Sequence, residues 1–255
     1  MSKIFDALRK AEKRSGRKGR NIRKRKKPLK KASNVNKSNF LKGMDEDFRR
    51  SLLTLRNSVD SEMKDKGTKV IMFTSALEGE GKSTIAVFLA RMIAVNQMEK
   101  TLIIDCAVRN PQIHNFFGVS GEKGIIDYLS DEAEFSDILQ TVDAMVLDII
   151  PTGRTADRSV IQPLFRSDRM GALISEVAEN YDYIFVDTSS ILSAPETPIL
   201  SSLMDGVVMV VQAGRTKREV IRRAVMNVNK QGGEFVGSVL NRKKYYIPEF
   251  IYKRV

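Results

Sequence analysis

Beyond residue 44 the chain alternates short apolar runs with longer amphipathic ones. Runs dense in Val, Ile, Phe, Met and Leu at residues 69–74, 101–105, 145–150, 183–187, 206–212 and 235–240 predict strands, and helical spacing is strongest at 45–63 and 85–95. The strand runs are apolar at nearly every position rather than at alternate ones, so both of their faces are expected to be buried. Apolar strands separated by helices predict an α/β fold, a mostly parallel twisted sheet with helices on both faces. In such a sheet ligands bind beyond the carboxyl ends of the strands, which directs attention to the residues following each run.

The first run leads into Thr74-Ser-Ala-Leu-Glu-Gly-Glu-Gly-Lys-Ser-Thr84, and an apolar helical run follows at once. Strand, glycine-rich loop, lysine and helix in this order make a phosphate-binding loop. Gly79 and Gly81 let the backbone curl so that amides converge on phosphate oxygens at a helix N-terminus, with Glu80, Lys82, Ser83 and Thr84 completing the cradle. Lys82 is suited to the outer phosphates and the Ser83 hydroxyl to a magnesium ion. The strict pattern begins with glycine at position 76, where this chain has Ala76. The expected ligands are ATP and Mg2+.

Two other runs end in carboxylates, Leu102-Ile-Ile-Asp105 and Tyr183-Ile-Phe-Val-Asp187. Phosphoryl transfer needs acids near the metal and the attacking oxygen, so Asp105 and Asp187 are the candidate catalytic and metal-organising residues. An aspartate after a strand also serves to turn the chain or cap the next helix.

The 255 residues, 42% of them apolar, suffice for one sizeable core domain, expected at 44–255. No apolar run approaches the roughly 20 residues that cross a bilayer, and the start lacks the apolar centre of a secretory signal, so a cytoplasmic protein is expected. The net charge of +12 is concentrated at one end: residues 1–43 hold seventeen Lys and Arg against Asp6 and Glu12, a balance of +15, which leaves −3 for the rest. Residues 14–31 are almost devoid of apolar side chains and are expected to stay disordered, behind a short amphipathic helix bearing Ile4, Phe5, Leu8 and Ala11. A solvated arm, a dock on a partner or anionic membrane surface, and a sequence-independent grip on nucleic acid all suit this composition, which alone does not choose among them.

Residues 74–84, 105–111, Tyr181-Asp-Tyr-Ile-Phe-Val-Asp-Thr188 and Asp205-Gly-Val-Val-Met-Val-Val-Gln212 with Thr216 together resemble the bacterial tyrosine kinase family. These are cytoplasmic autokinase domains of capsule and exopolysaccharide biosynthesis, related to the MinD and ParA ATPases. The first twelve residues and the last seventeen resemble the branch in which the kinase is a polypeptide separate from a membrane-spanning polysaccharide co-polymerase. The resemblance implies that Lys82 and Ser83 hold phosphate and magnesium, that Asp105 is base or metal organiser, that Asp187 stands in the metal's outer shell, that Arg109 belongs to the second motif, and that Asn241 contacts adenine. It also implies a tyrosine cluster near the end, here Tyr245, Tyr246 and Tyr252, and a place at the inner face of the cell membrane, although the Pro248 turn with Phe250 and Ile251 suits a packed, structural tail equally well. Leu77, where MinD and ParA carry a second lysine, favours the kinase branch.

Several positions depart from the family. The second motif, Asp-x-Asp-x-Arg, reads Asp105, Ala107, Arg109, and a methyl cannot orient magnesium or its waters. Ser190 replaces a proline after the third motif. The oligomerisation pattern Glu-x-x-Arg-x-x-Arg keeps Glu46 and Arg49 but has Leu52, with Arg56 one turn on, so a homo-oligomer stays an open expectation. A catalytically weak, nucleotide-binding scaffold is therefore the alternative to an active kinase, and a ParA- or MinD-like ATPase acting on DNA or membrane is a third and weaker one. Cys106 and the eleven Met are expected as packing, and His114 as a solvent-facing residue or local cap.

Overall fold

The computed structural model describes residues 45–143, 146–154 and 158–243. The expected basic arm and the final tyrosine cluster lie outside these residues. Helix α1 (Glu46–Glu62) precedes strand β1 (Lys69–Ser75), helix α2 (Lys82–Gln97) and strand β2 (Thr101–Cys106). Three short helices, α3 (Ile113–Phe117), α4 (Ile125–Leu129) and α5 (Phe135–Ile138), then lead to β3 (Gln140–Asp143) and β4 (Leu147–Ile150). Helices α6 (Ile161–Arg166) and α7 (Asp168–Ala178), strand β5 (Tyr183–Thr188), helix α8 (Thr197–Leu200), β6 (Gly206–Gln212), α9 (Arg218–Lys230) and β7 (Phe235–Asn241) complete the chain.

The strands form one sheet in the order β3-β4-β2-β5-β1-β6-β7. All six predicted strands are present and pair in parallel. The seventh, β3, was not foreseen. It is four residues long, polar, antiparallel to β4 and irregular in register, so it carries little apolar signal.

Period-two alternation sorts the strand residues onto two faces. Val70, Met72, Ile104, Ile184, Val186, Val207 and Met209 join one core cluster with residues of α6, α7 and α9. Ile71, Phe73, Ile103, Tyr183, Phe185 and Val208 join the other, beneath α1 and α2. Phe73 and Phe185 meet edge to face at 5.4 Å across β1 and β5, burying two rings whose removal from water contributes about 1.5–3 kcal/mol each. Helix α2 is buried on most sides because the sheet lies under it and α1 over it, which explains why its sequence is apolar nearly all round.

Helix α1 shows the 48, 52, 55, 59 spacing of a one-sided apolar stripe. Leu52 and Val59 are buried, and Phe48 meets Phe88 of α2 edge to face at 5.4 Å. Leu52, which occupies an oligomerisation-pattern position, is thus a core residue. Arg56 is also turned inward: its Nη2 donates to both Glu99 oxygens at 3.0 and 2.9 Å, and its Nε pairs with Asp60 at 3.2 Å. The Tyr183 hydroxyl donates to Asp60, and Lys69 lies 4.9 Å above the Tyr183 ring. Among the described residues, no helix is long and apolar enough to span a membrane.

This network clamps α1 to the amino ends of β1 and β5. Arg56→Ala would strand Glu99 in a half-buried site and leave Asp60 only Tyr183 and Lys69, and is expected to lower the unfolding free energy by about 2 kcal/mol in urea titration. An unchanged midpoint would show that the clamp is dispensable.

Candidate functional site: the phosphate loop and its acids

Strand β1 ends in buried Thr74 and Ser75, and the chain turns through residues 76–80 before α2 begins at Lys82. Gly79 and Gly81 have φ of 78° and 95°, the left-handed region that other residues enter at a cost. Gly81 is constrained twice, because a Cβ there would collide with the Asn241 side chain. The Asn241 Nδ2 donates to the Glu80 carbonyl at 2.8 Å, pressing the end of β7 against the loop. The amino end of α2 therefore opens at the loop, bringing unpaired amides and the positive end of the helix dipole to one place.

The Glu80 side chain is spent inside the protein, which leaves its backbone for the cradle. Its carboxylate is fully buried and turned into the protein, accepting from the Leu77 amide at 2.8 Å, the Gln212 amide at 2.9 Å and the Thr216 hydroxyl. A carboxylate aimed at a triphosphate would repel it; aimed inward, it ties the loop to the end of β6, and only the backbone of Glu80 can serve the ligand. Gln212 Oε1 accepts from Arg215 at 3.3 Å and from Arg242 at 3.1 Å, both exposed. Arg215 lies 3.5 Å from where a Cβ on Gly79 would stand, so two cations that sequence reasoning missed rim the loop.

The two candidate acids are neighbours. β2 and β5 pair in a register that sets Asp105 beside Asp187, both fully buried. Their partners differ. Asp105 Oδ1 accepts from the Ala107 amide at 3.0 Å, and its Oδ2 accepts from Gln112 at 3.1 Å and Ile113 at 3.0 Å, which fixes residues 107–113 and caps α3. Burial raises its pKa, and these amides work against the rise. The role expected for it, as base or metal organiser, has to compete with three amides for its lone pairs.

Asp187 has no hydrogen-bond partner on either oxygen among the described residues. Burial pushes its pKa up to about 7; Lys82 opposes the rise and Asp105 adds to it. The Ser83 hydroxyl and the Thr188 amide also favour the charged form, but neither reaches hydrogen-bonding geometry. Lys82 Nζ lies 3.4 Å from Ser83 Oγ. An orphaned carboxylate beside a hydroxyl, a lysine and a helix N-terminus fits an aquated magnesium ion on a triphosphate, which takes hard oxygen donors and keeps several waters. Among the described residues no three His, Cys, Asp or Glu side chains gather into a metal-binding cluster.

Arg109 reaches across to the loop after β5, where its Nε donates to Glu196 Oε1 at 3.3 Å. Ala107 is buried, and Cys106 is a fully buried thiol whose pKa is raised by burial and then by the two aspartates, so it is inert packing. His114 is half-buried on α3 and packs against Gly121, outside the site. Sequence reasoning also passed over Ser189, whose buried hydroxyl has no partner among the described residues.

Because Asp187 is held above its ordinary pKa, folding favours its protonated form. That stability is fully present below the unfolded pKa near 3.8 and is lost as pH rises through about 7. Nucleotide-free Asp187→Asn is therefore expected to be more stable than the native chain at pH 8, with the gap closing toward pH 4, as measured by urea unfolding; a pH-independent difference would contradict the shift. Glu80→Ala strands the Leu77 and Gln212 amides and is expected to cost about 2–3 kcal/mol and to weaken nucleotide binding; an unaltered calorimetric affinity would contradict the anchoring role.

Comparison with known proteins agrees with this geometry. A family model described as an AAA domain matches residues 68–231. The chain is 33% identical over 182 residues to tyrosine-protein kinase CpsD of Streptococcus agalactiae, covering 71% of this chain and 78% of that protein. Its fold matches the kinase domain of Escherichia coli tyrosine kinase ETK with a TM-score of 0.70 at 24% identity, over 77% of this chain and 78% of that one. It matches the VpsO kinase domain with a TM-score of 0.67 at 31% identity, over 78% and 98%. Phosphate loop, paired strand-end acids, sheet order and these likenesses together make the chain a member of the bacterial tyrosine-protein kinase family of nucleotide-binding P-loop proteins.

Proposed function

We propose that the chain is an ATP-dependent tyrosine autokinase that works with a membrane-spanning polysaccharide co-polymerase in exopolysaccharide assembly. The observation that carries the site is Asp187, a buried carboxylate with no partner beside Lys82 and Ser83. Loop amides and Lys82 bind the outer phosphates, and the helix dipole offsets their charge. Ser83 and Asp187 would hold magnesium, directly and through water respectively, and the ion would neutralise charge developing on the transferred phosphoryl group. Asp105 orients the 107–113 loop at the carboxyl end of β2, and its Oδ1, which accepts a single amide, keeps a lone-pair site that could take a proton from the incoming tyrosine. Arg109 and Glu196 brace the facing loops.

Acceptor choice follows from exclusion. Tyr181 and Tyr183 donate to Asp148 and Asp60, and burial raises both phenols further from ionisation. Tyr128 is half-buried beneath the Arg169 guanidinium at 4.7 Å. The remaining tyrosines, Tyr245, Tyr246 and Tyr252, are the proposed acceptors. Residues 1–43 would supply contacts with the co-polymerase and with anionic lipid at the cytoplasmic face.

Ala107 supports a second reading, a nucleotide-switched scaffold with little turnover, because one acid of the family motif is gone. With labelled ATP, magnesium and the co-polymerase's cytoplasmic segment, the native chain is expected to label itself on tyrosine. Lys82→Met should be silent, and changing Tyr245, Tyr246 and Tyr252 together to Phe should remove the label. Nucleotide binding without labelling, coupled with a large gain in turnover for Ala107→Asp, would select the scaffold.

A further inference from the structure

Three buried oxygens at the carboxyl end of β5 have no hydrogen-bond partner among the described residues: both of Asp187 and the Ser189 hydroxyl. A hydroxyl rotates to find any acceptor within reach, so a buried one left alone is uncommon and costs about 1–3 kcal/mol. Its neighbours are satisfied. Thr188 Oγ1 donates to the Phe73 carbonyl at 3.0 Å, and Ser190 Oγ to Ser193 Oγ at 2.8 Å. The Ser189 backbone is fixed as well, since Thr74 Oγ1 donates to its carbonyl at 2.9 Å and the Ile191 amide to the Ser75 carbonyl at 2.9 Å. The residue is thus locked against the base of the phosphate loop with its hydroxyl unspent.

Its position is informative. Alternation along β5 puts Phe185 and Asp187 on the α2 side of the sheet, and Ser189 is the first residue past the strand's end. The β2–β5 register runs through Asp105 with Asp187 and Cys106 with Thr188; Ala107 and Ser189 are the residues immediately beyond. Ser189 and Ala107 are thus each the first residue past the paired ends of β5 and β2, two positions beyond Asp187 and Asp105. We propose that Ser189 is a further residue of the nucleotide site, its hydroxyl sharing with Asp187 a water of the magnesium ion carried by the bound triphosphate, in place of the carboxylate that Ala107 lacks. This rests on the ATP-binding reading above. Hydroxyl and carboxylate are complementary here: Ser189 both donates and accepts, while ionised Asp187 only accepts, so one water can be oriented by the pair.

The test is Ser189→Ala in the full chain, with ATP affinity measured by calorimetry in EDTA and across a magnesium titration, and with unfolding of the nucleotide-free protein measured alongside. The expected result is an unchanged affinity in EDTA and a roughly tenfold rise in the magnesium concentration that half-saturates the enhancement of binding. Nucleotide-free stability should be equal to or above the native value, because an unsatisfied hydroxyl has been removed. Ala107→Asp in the Ser189→Ala background is expected to bring the magnesium requirement back toward native. An unchanged magnesium requirement overturns the assignment, as does a variant that loses stability and affinity in EDTA together, since that marks a packing role. Failure of the native chain to bind ATP under either condition overturns the ATP reading itself, and this assignment with it.

Discussion

The structure depends on how a phosphate loop is held open. Its amides must point at a ligand, so they cannot satisfy one another or close into regular structure, and other groups have to fix the backbone. Here the fixing group is the buried Glu80 carboxylate, which draws together the loop, the end of β6 and Thr216. Asn241 from β7 and Ser189 from the segment after β5 add two further ties, to the Glu80 carbonyl and the Thr74 hydroxyl. Three strands thus set the loop's shape, and a displacement of the β6–α9 connection would reach the phosphates through a single side chain.

The acids at the carboxyl ends of β2 and β5 divide the remaining work unequally. Asp105 and Asp187 share a register position and a depth of burial, yet one is supplied with three amides and the other with none. Desolvation costs the same kind of energy at both, so the difference lies in what offsets it: backbone already in place at Asp105, and Lys82 with whatever cation accompanies the phosphates at Asp187. Burying an unpaired carboxylate is tolerated in native proteins chiefly where function needs it, which supports the metal-organising role proposed for this one.

Most of the architecture was legible because it is written in long-period signals. Six strands and the two long helices flanking β1 followed from apolar runs and spacing, with boundaries within one or two residues for the strands whose ends are described. β3 escaped because an edge strand of four residues, polar and irregular, has no hydrophobic face to announce it. The loop's location was also legible, but not the direction of its side chains: a motif counts residue types, and nothing in it distinguishes a glutamate facing phosphate from one facing the core. Ser189 was beyond reach for a related reason. Its signal is a partner that is missing, which only three-dimensional neighbours reveal. Arg56, read as a remnant of an assembly pattern, is engaged within its own chain by Glu99 and Asp60.

The most direct measurement is proton release on binding of magnesium and ATP, obtained by calorimetry in buffers of different ionisation enthalpy between pH 6 and 8.5. If preformed magnesium–ATP settles against an aspartate held near pKa 7, the native chain at pH 6 should expel about one proton more than Asp187→Asn does, the difference diminishing to none at pH 8.5. Binding without any such pH-dependent difference, or no binding at all, would contradict the account.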